Sequence, residues 1–130
     1  RLVGSEMCIR DSYLLNHPKI EKVFFPGTDK RYKEIAEKQM DGFGGMMSFV
    51  IDSDINGVKT FLKNLNLFTL AESLGGVESL IEHPAIMTHA SIDPSIREKL
   101  GISETLLRIS VGIEDVDDLI SDLDQALSKI

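Results

Sequence analysis

The chain has 130 residues, of which 42% are apolar and 27% are charged, values that suit one globular domain with a buried core. Its net charge of −7 argues against a nucleic-acid partner, because phosphate binding needs an excess of lysine and arginine. The apolar runs are too short to span a bilayer, the single cysteine (Cys8) excludes an internal disulfide and suits a reducing cytoplasm, and the three separated histidines form no metal-ligand cluster.

The first twelve residues (RLVGSEMCIRDS) show neither helical nor strand periodicity. They resemble tails that are translated from adapter sequence, and they lack the continuous apolar segment of a signal peptide. We therefore expect residues 1–12 to be a non-native tail that contributes nothing to folding, and residues 13–130 to form the domain.

The next elements are a helix remnant, a helix and a strand. Residues 13–15 suggest the last turn of a helix that ends at His17-Pro18, and residues 23–25 form a short apolar run before a Pro-Gly turn. A helix with Asp29 as its cap is predicted before the glycines at 42, 44 and 45; its face consists of Tyr32, Ile35, Ala36 and Gln39. Residues 46–51 predict a strand that is buried on both faces, since they show little alternation.

The second half predicts two further strands and four helices. A helix capped within residues 52–54 is followed by a strand at 67–71 and a short helix around 77–81. Asp93-Pro94 opens another helix that Gly101 closes, and residues 106–111 predict the third strand. The last helix has acidic residues in its first turn and one apolar stripe: Val116, Leu119, Ile120, Leu123 and Leu127. Three strands with amphipathic helices indicate an α+β fold, a sheet covered by helices.

Arg108 interrupts the third strand, on the face that it shares with Leu106 and Ser110. One interpretation is a half-exposed strand with a solvated arginine. The other is a guanidinium aimed at a ligand carboxylate, which it suits because it offers two parallel donors to two oxygens.

A second departure from local pattern is Glu72-Ser73-Leu74-Gly75-Gly76, at the end of a predicted strand. Ser73 could cap the following helix. Alternatively, the two glycines could bring backbone N–H groups close to an anion. Neither pattern alone decides between structure and ligand binding.

Long segments of the chain resemble a known family. Residues 68–91 (FTLAESLGGVESLIEHPAIMTHAS) and 100–127 (LGISETLLRISVGIEDVDDLISDLDQAL) are similar to the C-terminal domain of the Cys/Met-metabolism enzymes that use pyridoxal phosphate, such as cystathionine γ-synthase and γ-lyase. Residues 17–27 (HPKIEKVFFPG) and 39–51 (QMDGFGGMMSFVI) match in the same order.

The resemblance implies the small C-terminal domain of a fold-type-I, aspartate-aminotransferase-like enzyme, with the large cofactor domain absent. It implies that Arg108 binds the substrate α-carboxylate, with Ser73 beside it. Glu72 corresponds to a position that differs among subfamilies, where a carboxylate could meet the distal ammonium of a cystathionine-like substrate. The family also implies a cytoplasmic homotetramer that acts on small amino-acid substrates.

The sequence departs from the family pattern at its lysines. None of the nine lysines lies in the small-residue-Thr-Lys motif that forms the Schiff base with the cofactor, so we predict no catalytic residue here and an inactive fragment of an active parent. The resemblance implies that the parent is a transsulfuration enzyme similar to cystathionine γ-synthase, with γ-replacement or γ-elimination on homoserine esters or cystathionine as its reaction. A γ-lyase, a methionine γ-lyase and an O-acetylhomoserine sulfhydrylase remain alternatives, as does a non-enzymatic α+β ligand-binding module.

Overall fold

The computed structural model describes residues 8–26, 30–39 and 44–130, which form one mixed sheet with helices packed against it. A π-helical segment (Cys8–Tyr13) and a 3-10 turn (Leu14–Asn16) come first. The strands are β1 (Ile20–Phe24), β2 (Met46–Ile51), β3 (Thr69–Leu70), β4 (Leu80–Glu82) and β5 (Leu106–Ser110). The helices are α1 (Lys33–Gln39), α2 (Ile55–Lys63), α3 (Pro94–Lys99) and α4 (Val116–Leu127).

The sheet has the order β1-β2-β5-β4-β3, so the strand that carries Arg108 lies at its centre. All neighbouring strands are antiparallel except β3 and β4, which are parallel. Arg108 lies opposite Ser48 of β2 on one side and opposite Glu82 of β4 on the other. These three side chains therefore form one row across the sheet, because directly opposite residues point to the same face.

The opposite face of the sheet forms the hydrophobic core with α2 and α4. Leu107 and Ile109 of β5 have no exposed surface, and Phe49 of β2 packs edge-to-face on Phe61 of α2 at 6.4 Å between ring centroids. Two helices begin where the sequence predicts, after residues 52–54 and at Asp93-Pro94. The carboxylate of Asp54 accepts a hydrogen bond from the Gly57 N–H, and Asp93 and Asp115 cap α3 and α4 in the same way.

Two strands were not predicted, and one was predicted too long. The edge strand β1 lacks a regular burial alternation, so its sequence showed only an apolar run. The helix expected around 77–81 is wrong: residues 80–82 form β4, whose side chains are all buried between neighbours in the sheet. The strand expected at 67–71 is limited to Thr69–Leu70, because the N–H groups of residues 66–68 bind the Asp122 carboxylate instead of a strand.

The segment before Tyr13 also differs from expectation. Ile9 has no exposed surface and belongs to the core cluster, so at this residue the structure contradicts the expectation that residues 1–12 contribute nothing to folding. An apolar side chain can be buried without any periodicity in its own segment, because tertiary packing decides its position. The non-native origin of residues 1–12 stays a prediction. Asp29 and Gly42 lie outside the described residues.

Candidate functional site

Arg108 occupies the middle of the central strand, on the face away from the main core. Its neighbours in the strand are buried, and its own side chain is 26% exposed. The backbone register fixes the base of this side chain between β2 and β4. Of the two interpretations of Arg108, a fully solvated side chain does not agree with this partial burial.

Glu82 is the acidic partner of Arg108, and sequence reasoning missed it. A carboxylate oxygen of Glu82 lies 2.7 Å from Nη2 of Arg108, and the Glu82 side chain is only 2% exposed. The hydroxyl of Thr88 donates a hydrogen bond to the other carboxylate oxygen. The available signal was a carboxylate that directly follows two apolar residues, but the helix predicted there concealed its cross-strand position.

The loop that contains Glu72 and Ser73 closes over the same face of the sheet. The backbone carbonyl of Glu72 accepts a hydrogen bond from Nη2 of Arg108 at 3.0 Å. The Gly75 N–H donates to the Ser110 hydroxyl at 2.8 Å, and Gly75 adopts a φ of +74°, which favours glycine. The loop therefore lies beside Arg108, whereas the side chains of both Glu72 and Ser73 are exposed.

Ser73 does not cap a helix, because residues 72–79 form bends that lead directly into β4. A contact between Ser79 and Glu114 fixes the end of this loop, just before β4. The Ser79 N–H and hydroxyl donate to the two carboxylate oxygens of Glu114 at 2.9 and 2.8 Å. Burial raises the pKa of Glu114, but these hydrogen bonds outweigh it and hold the pKa below its usual value. The Glu114 carboxylate thus stays charged and ties the loop to the residues after β5.

Some donors of the Arg108 guanidinium have no partner among the residues that the structure describes. Both of its contacts with described residues, the Glu82 carboxylate and the Glu72 carbonyl, involve Nη2. Within the described ranges, Nη1 and Nε of Arg108 have no hydrogen-bond partner. A guanidinium carries five N–H donors, so this arrangement leaves donors for an anionic group of a ligand.

The lysines of this chain do not fit an aldehyde cofactor. Eight of the nine are exposed on the surface. Lys19 is half-buried, but its ammonium donates to the C-terminal carbonyls of Leu127 and Ile130. A Schiff-base lysine needs an enclosed position with a free ammonium group, and none of these side chains has both. Among the described residues, no lysine therefore combines an enclosed position with a free ammonium group.

Metal coordination and membrane insertion each need a specific arrangement of residues. Among residues 8–26, 30–39 and 44–130, no group of three His, Cys, Asp or Glu side chains is arranged to hold a metal ion. Within the same part of the chain, no helix combines the length and apolarity needed to cross a bilayer.

The fold is that of a domain in a known class of enzyme structures. The chain superimposes on the crystal structure of cystathionine gamma-lyase from Lactobacillus plantarum complexed with L-serine, with a TM-score of 0.89 and 43% sequence identity. The match covers 98% of this chain and 33% of that one. The predicted α+β domain of an aspartate-aminotransferase-like, fold-type-I enzyme is thereby confirmed.

The family follows from the sequence match. The chain belongs to the Cys/Met metabolism PLP-dependent enzymes, whose family model matches residues 8–128. It is 54% identical to a cystathionine gamma-lyase from Dictyostelium discoideum, over 91% of this chain and 31% of that protein. It is 53% identical to a cystathionine beta-lyase from Lactococcus lactis subsp. cremoris, over 90% of this chain and 31% of that protein. The predicted family is confirmed, and the chain spans about a third of the length of these relatives.

The geometry brings together only part of the predicted site. Arg108 contacts the backbone of Glu72. Within the described part of the chain, no hydrogen bond links Ser73 to Arg108. The functional roles of Arg108, Ser73 and Glu72 stay predictions.

Proposed function

We propose that this chain is the substrate-carboxylate-binding domain of a pyridoxal-phosphate enzyme that acts on cystathionine or a related amino acid. The observation that carries the proposal is the Arg108 guanidinium, which is held by Nη2 and has free donors at Nη1 and Nε among the described residues. A half-buried cation of this kind suits a ligand carboxylate, since charge-assisted hydrogen bonds are the strong ones. Family membership supports an amino acid as the source of that carboxylate.

The reaction of the complete protein is proposed on the names of the relatives. Several are cystathionine gamma-lyases and others are cystathionine beta-lyases, at similar identity, which supports elimination on cystathionine. A cystathionine γ-synthase, a methionine γ-lyase and an O-acetylhomoserine sulfhydrylase remain alternatives within the family. Pyridoxal phosphate would be held by residues outside this chain, in keeping with the lysine positions described above.

The loop residues have secondary roles in the proposal. The exposed carboxylate of Glu72 would meet a distal ammonium of the substrate, and its position beside the Arg108 contact supports this role. The exposed hydroxyl of Ser73 would lie next to the bound carboxylate. We further propose that the complete protein is a cytoplasmic homotetramer, which rests on the family resemblance alone.

The test is a chimera in which residues 13–130 replace the corresponding segment of the Dictyostelium cystathionine gamma-lyase. Hydrogen bonds to charged groups contribute roughly 1.5–3 kcal/mol, and each ~1.4 kcal/mol is a factor of ten. Arg108→Ala should therefore lower kcat/KM for cystathionine by about ten- to a hundredfold. Arg108→Lys should recover part of this loss, because an ammonium keeps the charge but loses the planar donors.

The control for this test is Arg97→Ala, which removes an arginine that binds the Ala85 carbonyl and does not touch the Arg108 contacts. Steady-state kinetics with a thermal melt of each variant separates lost binding from lost folding. Wild-type kcat/KM in Arg108→Ala would remove Arg108 from the site. Equal losses in the Arg97 and Arg108 variants would show that only stability was affected.

A further inference from the structure

We propose that Glu82 is a positioning residue, which fixes the guanidinium of Arg108 in the orientation that receives the substrate carboxylate. The proposal rests on the proposed function, because it assigns a role through Arg108. Glu82 itself is almost completely buried and would not touch the ligand.

The contacts show how Glu82 would act. Its backbone lies directly opposite Arg108 in the ladder between β4 and β5, so both side chains rise from the same place on the sheet. One carboxylate oxygen is 2.7 Å from Nη2 of Arg108, and the other accepts the hydrogen bond from Thr88. The Glu72 carbonyl contacts the same Nη2 atom. The guanidinium is thus held at one nitrogen, and its rotation moves the other two.

Burial distinguishes the two partners of this ion pair. The Glu82 side chain is 2% exposed and that of Arg108 is 26% exposed. A buried carboxylate is costly unless it is paired and hydrogen-bonded, and here both of its oxygens have partners. The carboxylate is therefore fully committed to Arg108 and Thr88, whereas the arginine still has donors that can reach a ligand.

Two effects of Glu82 on a bound carboxylate oppose each other. Its negative charge weakens the attraction between Arg108 and an anion, but the ion pair holds in one geometry a side chain that is otherwise rich in rotamers. Because the paired oxygen lies at Nη2 and the free donors are at Nη1 and Nε, we expect orientation to dominate. A residue that acted only by its charge would have the opposite effect on affinity.

The kinetic test uses Glu82→Gln in the chimera described above, with cystathionine and with its α-carboxamide analogue. Glu82→Gln keeps the size of the side chain and an acceptor for Thr88, but it loses the charge that holds Arg108. We expect kcat/KM for cystathionine to fall about tenfold, mainly through a higher KM, and the value for the carboxamide to stay within about twofold. In the Arg108→Ala background, Glu82→Gln should not change further the ratio of kcat/KM for cystathionine to kcat/KM for the carboxamide.

The control variant is Glu98→Gln, which makes the same change at an exposed glutamate of α3. It should leave both substrates unaffected. Suppose that Arg108→Ala lowers kcat/KM for cystathionine more than for the carboxamide, as expected. An unchanged or lower KM for cystathionine in Glu82→Gln then contradicts the role of Glu82 and leaves that of Arg108 intact. If Arg108→Ala does not discriminate between the two substrates, the carboxylate site of the proposed function fails.

A second measurement on the 130-residue chain does not depend on activity. The ¹⁵N resonances of the Arg108 guanidinium report how fast this group rotates. Rotation should be slow in the unchanged chain and at least about tenfold faster in Glu82→Gln, if the ion pair restrains it by more than 1.4 kcal/mol. Equal rotation rates in the two proteins would contradict positioning by Glu82, including in the case where the chimera variant does not fold.

Discussion

His83 is an ionisable side chain in a buried position, directly after the ion-paired Glu82. Its side chain has no exposed surface, and its Nε2 lies 2.6 Å from the Glu104 carbonyl. Because a carbonyl only accepts, Nε2 carries the proton, and Nδ1 is buried without a partner among the described residues. Burial lowers the pKa of His83, and the charges of Lys59 and Arg97 lower it further, against the influence of the Glu104 carbonyl and carboxylate.

This pKa predicts a loss of stability in mild acid. Above the unfolded-state pKa of about 6.5, His83 is neutral in both states and contributes no pH dependence. As the pH falls below that value, the unfolded chain binds the proton first, so the free energy of unfolding decreases by up to about 1.4 kcal/mol per pH unit. Urea unfolding at pH 7.5 and 5.5 should show this decrease, and His83→Gln should reduce it. His89→Gln, at a partly exposed histidine, should behave like the unchanged chain.

At the scale of the elements, α4 is connected to the turn before β3 by one buried carboxylate. Asp122 of α4 accepts hydrogen bonds from the backbone N–H groups of Asn66, Leu67 and Phe68 at 2.8, 2.7 and 3.2 Å. This carboxylate is 5% exposed. It replaces the strand hydrogen bonds that these N–H groups would otherwise need.

We predict that Asp122→Ala destabilises the domain by roughly 2–3 kcal/mol, since it leaves the buried N–H of Phe68 and the part-buried N–H groups of Asn66 and Leu67 without their acceptor. Denaturant unfolding measures the change. Asp117→Ala, at an exposed acidic residue in the first turn of the same helix, should cost less than about 1 kcal/mol through the helix dipole. Equal losses in the two variants would mean that helix charge, and not the connection to the turn, accounts for the effect.

Elements with their own periodicity or capping residues could be predicted from the sequence. Elements that depend on strand pairing and tertiary packing could not. The apolar stripe of α4, the cap within residues 52–54 and the face of β5 that carries Arg108 were evident from the sequence. The strand β4 was missed because three buried residues show no period that separates a strand from a helix. Glu82 was missed for the same reason, since its partner is set by strand register and not by local spacing.

At the scale of the whole molecule, the chain carries the proposed carboxylate site but no lysine suited to attach the proposed cofactor. Eight exposed lysines and one that binds the end of α4 cannot favour a single Schiff base. We predict that the chain incubated with a low concentration of pyridoxal phosphate, reduced with borohydride and mapped by peptide analysis shows only scattered, weak labelling. One stoichiometrically labelled lysine would contradict this prediction, and Lys19→Arg would show whether that lysine is the half-buried one.

The position of β5 at the centre of the sheet has a consequence for the order of folding. Its two neighbours, β2 and β4, do not pair with each other, so without β5 the sheet separates into two isolated strand pairs. A two-stranded pair is at best marginally stable, and closing long loops before any stabilising contact forms is slow. The edges of β2 and β4 therefore stay unpaired until β5 forms between them. We expect a nascent or partly unfolded chain to be most prone to aggregate before this step.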